Sequence, residues 1–233
     1  MKLCVIPARG GSKRIPRKNI KEFLGKPIIG YSIQAARQSG CFDKVIVSTD
    51  DAEIAKVAKH FGAEVPFIRP EELANDFAGT IPVIKHATEW FEEQGVKVDY
   101  VCCLYATAPF VTPQKLQAAY EQLITSQADF CFTVTAYPSP IQRAIKITES
   151  NRIEMFNPHM FNTRSQDLEE AYHDAGQFYW GTAKAFKQQQ RFYSEDASPY
   201  ILPSYLVQDL DNLDDWIRAE MMYHVLQQTG DIT

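Results

Sequence analysis

Five cationic side chains, Arg9, Lys13, Arg14, Arg17 and Lys18, fall within ten residues around the pair Gly10-Gly11. Glycine lets backbone N–H groups approach an anion closely. Arginine offers forked donors to phosphate oxygens, and lysine a compact charge. The stretch from Pro7 to Asn19 directly follows Lys2–Ile6, an apolar run that reads as a buried strand. Its spacing is neither that of a Walker A loop nor G-x-G-x-x-G. A solvated basic loop or a nucleic-acid patch is the bland alternative; the position after a buried strand favours a phosphate site.

A second group lies near the C-terminus, where Asp209 and Asp211 flank Leu210 after Tyr205-Leu206. On a strand these carboxylates would point to one face, and like charges that close call for a cation. Hard oxygen ligands suit Mg²⁺, which completes its shell with phosphate and water. The competing reading is that Asp211-Asn212 opens a turn and Asp214 caps the last helix. A third candidate is Arg69, in Arg69-Pro70-Glu71-Glu72-Leu73-Ala74-Asn75-Asp76; its spacing alone does not separate it from a surface arginine. A fourth is Arg164 with Gln166, Tyr172, His173, Asp174 and Gln177. These suit a polyhydroxylated acidic ligand, with Arg164 for its carboxylate, or else a wet loop or subunit interface. His173 has no spaced partner, and no catalytic role is assigned to it.

The elements that would position these groups alternate. Strands are expected at Lys2–Ile6, Lys44–Ser48, Val65–Ile68, Tyr100–Tyr105 and Phe130–Thr135. Helices are expected at 28–39, 52–61, 81–94 and 113–126, and Thr49-Asp50-Asp51 offers cap chemistry to the second. Such alternation predicts an α/β fold, a parallel sheet covered on both faces. Ligands then bind beyond the C-terminal strand ends, so the loops after Ile6, Ser48 and Tyr105 should share one rim. After Pro138 the pattern changes: a hairpin is expected at Ile145–Ile147 and Ile153–Met155, then a polar, aromatic excursion over Phe156–Gln177. Phe178–Gly181 and Tyr205–Leu210 return to strand character, and Trp216–Gln228 is an amphipathic helix.

The chain has 233 residues, 45% of them apolar, and a formal net charge of −5. This fits one domain with a real core and disfavours general nucleic-acid binding. The N-terminal apolar run is too short for a signal-peptide core, no stretch is long enough to span a membrane, and no cysteine pair has metal-site spacing. A reduced cytoplasm is the expected setting.

Taken together, Pro7-Ala8-Arg9-Gly10-Gly11-Ser12-Lys13 with Pro16, Lys18 and Asn19, Ser48-Thr49-Asp50, Arg69-Pro70 with Leu73, Ala74 and Asp76, and Asp209-Leu210-Asp211 resemble the CMP-sialic acid synthetase family of cytidylyltransferases. The resemblance covers nearly the whole chain. It implies a Rossmann-like three-layer nucleotidyltransferase fold as a single domain over 1–233, with about 138–177 as an inserted dimerisation and acceptor-binding segment. CTP would be bound by Ala8, Arg9, Gly10, Gly11, Ser12, Lys18, Asn19, Arg69 and Asp76, and Mg²⁺ by Asp209 and Asp211. The sugar acid would meet Tyr105, Thr107, Gln142, Arg143, Gln177 and Arg164, the last supplied by a second subunit of a homodimer.

Two departures bear on the acceptor. Leu104-Tyr105-Ala106-Thr107-Ala108-Pro109 has tyrosine where sialic acid synthetases usually carry glutamine. Gln142, beside Arg143, stands where they carry lysine. With Thr163–Leu168 and Asp174–Gly181, this variant resembles the branch acting on pseudaminic acid, a bacterial nonulosonic acid less polar than sialic acid. The implied reaction is attack of the anomeric hydroxyl on the α-phosphorus of CTP with loss of pyrophosphate. Arg9 and Lys18 would offset charge on the leaving group, and Asp211 would carry the metal. Alternatives are CMP transfer to sialic, legionaminic or deoxyoctulosonic acid, guanylyl or uridylyl transfer, and a non-catalytic nucleotide-binding module.

Overall fold

The computed structural model describes residues 1–232. The unbroken apolar run at the N-terminus forms β1 (Lys2–Pro7), buried on both faces. A small hairpin follows, β2 (Glu22–Phe23) and β3 (Lys26–Pro27), then α1 (Ile29–Gln38), β4 (Lys44–Ser48) and α2 (Ala52–His60). The Asp51 carboxylate caps α2 by accepting from the N–H groups of Glu53 and Ile54. After a long loop come α3 (Thr80–Glu93), β5 (Tyr100–Leu104) and α4 (Pro113–Ser126), the last capped by Thr112 with Pro113 at its first position. β6 (Phe130–Ala136) leads into the hairpin of β7 (Ile145–Ile147) and β8 (Ile153–Met155). The chain then returns through β9 (Tyr172–Thr182), α5 (Ala183–Lys187), β10 (Ala197–Ile201) and α6 (Leu213–Thr229).

The main sheet has the order β10-β6-β9-β5-β1-β4. Its strands run parallel except β9, which lies antiparallel between β5 and β6. One face packs Ile6, Cys102 and Trp180 against Ile33 of α1, Ile54 of α2 and Leu116 of α4. The other packs Val5, Val101 and Tyr179 against Ile84 and Phe91 of α3 and Phe186 of α5. These are the three layers of an α/β fold. A third apolar cluster joins Phe23 and Tyr31 to Leu210, Trp216 and Tyr223, and seats α6 beside the first loop.

The structure corrects three sequence expectations and adds one strand. Val65–Ile68 is not a strand: pairing there is limited to a bridge between Ile46 and Glu64, because Pro66 removes a ladder donor. The excursion ends earlier than expected, since β9 begins at Tyr172 and its first residues pair with Val134–Ala136. β10 had no apolar signature and carries Pro199, which an edge strand tolerates. Tyr205–Leu210 is a single 3₁₀ turn at Ser204–Leu206 followed by irregular chain, not a strand.

Candidate active site

The loops after β1, β4 and β5 meet at the C-terminal ends of these strands and enclose a cavity of about 390 Å³. Arg9, Ser12, Lys18 and Asn19 come to it from the first loop, Arg69 from the segment after β4, and Tyr105 and Thr107 from the loop after β5. Its far wall is the start of α3, where Gly79 and Thr80 line the cavity. The Gly79 cap position has no side chain to satisfy the first helical N–H groups. Such groups at a helix start favour an anion.

The first loop is pinned from behind. Gly10 donates its N–H to Asp50 Oδ1 at 3.0 Å. Arg17, in the left-handed region at φ 56°, forks onto both Asp51 oxygens at 2.5 and 2.9 Å and reaches Glu53 at 2.5 Å. That fork holds the Asp51 carboxyl down at about 2. Arg17 is therefore a structural clamp among the five loop cations. Gly10 is required sterically, since a Cβ there would stand 2.7 Å from Asp51 Oδ2. Ala8 is fully buried and ties β1 to β4 by donating to the Ser48 carbonyl. Asn19 donates to the Arg9 carbonyl at 2.9 Å. Ala8, Gly10 and Gly11 contribute backbone to this turn.

Arg69 is 5% exposed, so the surface reading of it falls. Its guanidinium donates to the Ser48 hydroxyl at 3.1 Å and to the Ser48 carbonyl. Burial lowers its pKa to about 10, with Asp50 acting in the opposite direction. Burial likewise lowers Lys18, against the pull of Asp209 and Asp211. A buried cation with spare donors at a cavity wall is well placed for an anion. Asp76 sits at the rim, with one oxygen on Arg9 at 2.7 Å and the other on Lys13 at 2.5 Å. Those two hydrogen bonds hold its pKa below the usual carboxylate range.

The carboxylate pair reaches the same rim by a route other than a strand. Leu210 is buried in the third cluster, and its carbonyl accepts from Lys18 Nζ at 2.7 Å. Asp209 and Asp211 flank that anchor. Asp209 Oδ1 accepts from the N–H of Leu210, and Asp211 pairs with Arg14 at 2.6 Å. α6 is capped by Asn212 and Asp215, not Asp214, and Asp215 also accepts the Asp211 N–H. Two carboxylates beside a cluster of phosphate-type donors fit Mg²⁺ as a hard cation sharing its shell with phosphate. Among the described residues no group of three or more His, Cys, Asp or Glu could hold a metal without such help.

The remaining acceptor candidates lie outside the lining of the cavity. Gln177 is buried: its side-chain amide donates to the Leu206 carbonyl at 2.5 Å, and its backbone carbonyl accepts from the Tyr105 N–H at 2.9 Å. It joins the tyrosine wall to the carboxylate loop. Gln142 donates to the Glu169 carbonyl, and Arg143 to the carbonyls of Phe161 and Thr163, so both brace the excursion. Arg164 is exposed and forks onto Asp167. Sequence reading gave Arg14 no role of its own beyond the charge of the loop, and it missed Gly79 and Thr80. The run Gly79-Thr80-Ile81-Pro82 carried the signal for the last two, a bare cap ahead of a first-turn proline.

A cytidylyltransferase family model matches residues 3–213. The chain belongs to the cytidylyltransferase family. It is 48% identical, over 98% of both chains, to a pseudaminic acid cytidylyltransferase of Campylobacter jejuni. It is 34% identical, over 97% of both, to a CMP-N,N'-diacetyllegionaminic acid synthase of Legionella pneumophila. Among solved structures, a CMP:2-keto-3-deoxy-manno-octonic acid synthetase complexed with CTP superposes with a TM-score of 0.68 at 15% identity, covering 96% of this chain and 98% of that one. That likeness shows the shared α/β fold. No helix among the described residues of this cytidylyltransferase is long and apolar enough to cross a membrane.

Proposed function

We propose that this cytidylyltransferase transfers CMP from CTP to the anomeric hydroxyl of pseudaminic acid and releases pyrophosphate. The observation that carries the reading is the convergence of Arg9, Lys18 and Arg69 on one cavity whose rim bears Asp209 and Asp211. The relative at 48% identity supports pseudaminic acid as the acceptor. Arg9 and Lys18 bind the triphosphate and offset charge that develops on the leaving pyrophosphate. Arg69 and the start of α3 orient the nucleotide. Tyr105 and Thr107 face the acceptor. The new O–P bond forms as the bond from the α-phosphorus to the bridging oxygen breaks. The hydroxyl proton leaves to solvent, since no side chain in the cavity is set up as a dedicated base.

Asp209 and Asp211 would hold Mg²⁺, which when bound neutralises phosphate charge and lowers the pKa of an oxygen it contacts. Arg14 pairs with Asp211 through Oδ2 alone, which leaves Oδ1 available to such an ion. The exposed apolar residues of the excursion, Ile145, Ile147, Ile153, Phe156 and Phe161, support a homodimer through this segment. Such a dimer is the route by which Arg164 of one subunit would reach the acceptor in the other. The five cysteines are free and buried, which suits a reducing cytoplasm. The test is pyrophosphate release from CTP with a panel of pseudaminic, legionaminic, sialic and deoxyoctulosonic acids. The reading requires pseudaminic acid to show the highest kcat/KM. CTP binding without pyrophosphate release for any of the acids would leave a binding module instead.

A further inference from the structure

Asp209 lies between two side-chain tethers that come from elsewhere in the fold. On one side the Leu210 carbonyl accepts from Lys18 Nζ at 2.7 Å. On the other the Leu206 carbonyl accepts from the side-chain amide of Gln177 at 2.5 Å. Leu206 and Leu210 are both buried in the third apolar cluster, so the backbone between them is fixed at two points. Asp211, just beyond, is held from α6, where Asp215 accepts its N–H at 3.1 Å.

A bulge in β9 sets Gln177 in place. The register with β6 shifts between Phe132 and Val134. Gly176 turns the bulge at φ 62°, in the left-handed region that suits glycine. Asp174 fixes its base by accepting from the Gly176 N–H at 2.8 Å and from the Tyr179 hydroxyl at 2.6 Å. The Gln177 backbone carbonyl extends the pairing with β5 to the Tyr105 N–H, and the Ser32 hydroxyl holds the Tyr105 carbonyl at 2.8 Å. One residue thus spaces the tyrosine wall from the carboxylate loop. Only the nitrogen of an amide side chain can face a carbonyl. Gln177 Oε1 is therefore turned the other way, and it is buried with no hydrogen-bond partner. Packing alone would favour an apolar side chain there, because an unpaired buried oxygen is destabilising.

We infer that Gln177 is a positioning residue for the metal site: its amide, through the Leu206 carbonyl, sets Asp209 and Asp211 against the nucleotide cavity. This differs from the sugar-acid contact that the sequence resemblance implies for Gln177, which is buried and outside the cavity lining. The inference rests on the reading of Asp209 and Asp211 as the Mg²⁺ carboxylates and adds what holds them.

Gln177→Met keeps the length of the side chain and removes the donor, so the Leu206 carbonyl must turn elsewhere and the loop moves. Electron paramagnetic resonance of Mn²⁺, titrated into protein with CTP and no acid against a blank of CTP alone, reads the metal affinity directly. It should fall about 5- to 10-fold, the scale of one hydrogen bond. CTP affinity measured by calorimetry in EDTA should stay within about twofold, a change too small to count as a lost hydrogen bond. In turnover with pseudaminic acid, the Mg²⁺ midpoint should rise by the same factor, with KM for the acid at saturating Mg²⁺ unchanged. Gln177→Glu serves if the methionine variant folds poorly. Only a protonated glutamate can donate to Leu206, and burial raises its pKa, so its metal deficit relative to wild type should shrink as pH falls from about 8 to about 6. Unchanged Mn²⁺ affinity in a folded Gln177→Met protein refutes the inference. So does a raised acid KM with metal affinity intact, which would make Gln177 a sugar contact. Wild-type protein that adds nothing to the Mn²⁺ binding of CTP alone, or Asp211→Asn that binds Mn²⁺ as wild type does, refutes the metal reading itself.

Discussion

Replacing Gly10 by alanine probes whether the loop after β1, proposed to hold the triphosphate, is kept in place by its own clamp. Gly10 does not occupy the left-handed region, so alanine costs nothing in backbone conformation. The cost is contact: the new Cβ would lie 2.7 Å from Asp51 Oδ2 and 3.1 Å from Asp51 Cβ. Asp51 cannot yield freely, because it caps α2 and holds the Arg17 fork. Loss of the cap costs about 1 kcal/mol, and loss of a partly exposed ion pair up to about 1 kcal/mol. A total of about 2 kcal/mol lowers Tm by about 4–8 °C in a chain of this size. Arg9 and Lys18 shift with the loop, and about 1.4 kcal/mol of lost phosphate contact raises KM for CTP about tenfold. Calorimetry and initial rates at varied CTP measure both. Arg17→Ala should lower Tm by a similar amount, and the double variant should fall well short of additivity because both act through Asp51. A Gly10→Ala protein with unchanged Tm and CTP KM would refute the clamp.

The Asp51 carboxyl is held at about 2 in the fold, below its usual value, so it contributes stability that is complete above about pH 4 and lost as pH falls toward 2. Urea titrations at pH 5, 3.5 and 2.5 should show that loss in wild type and a flatter profile in Arg17→Ala. Asp211→Asn should cut magnesium-dependent kcat at least 100-fold while Tm stays within about 3 °C; near-normal turnover would remove Asp211 from the metal site. Ile147→Glu, on the exposed hairpin, should convert a dimer to a monomer in sedimentation velocity, and an unchanged mass would place the subunit contact elsewhere.

Much of the site was legible because its parts are local. The loop after β1 announces itself by charge and glycine, and the apolar run before it fixes where it must sit. The hairpin at Ile145–Met155 was legible from a polar turn between short alternating runs. What escaped depends on distant contacts. Asp209 and Asp211 were read as strand neighbours, yet they are held by burial of Leu210 in a cluster with Phe23 and Trp216. Arg69 reads as a surface residue until Ser48 of β4 is placed beneath it. Arg17 resembles its neighbours in composition and differs only in facing Asp51. The insertion of β9 between β5 and β6 involves long-range antiparallel pairing with no local signature, and it creates the contact between Tyr105 and Tyr179.

Phosphorus-31 NMR of CTP and pseudaminic acid incubated with the protein and Mg²⁺ follows every phosphorus in the reaction. Direct transfer at the cavity requires the three CTP resonances to be replaced by one phosphodiester and free pyrophosphate in equal amounts, and the CTP resonances to persist when Mg²⁺ is chelated. Appearance of CDP and inorganic phosphate, or of CMP as a monoester, would contradict transfer to the sugar hydroxyl.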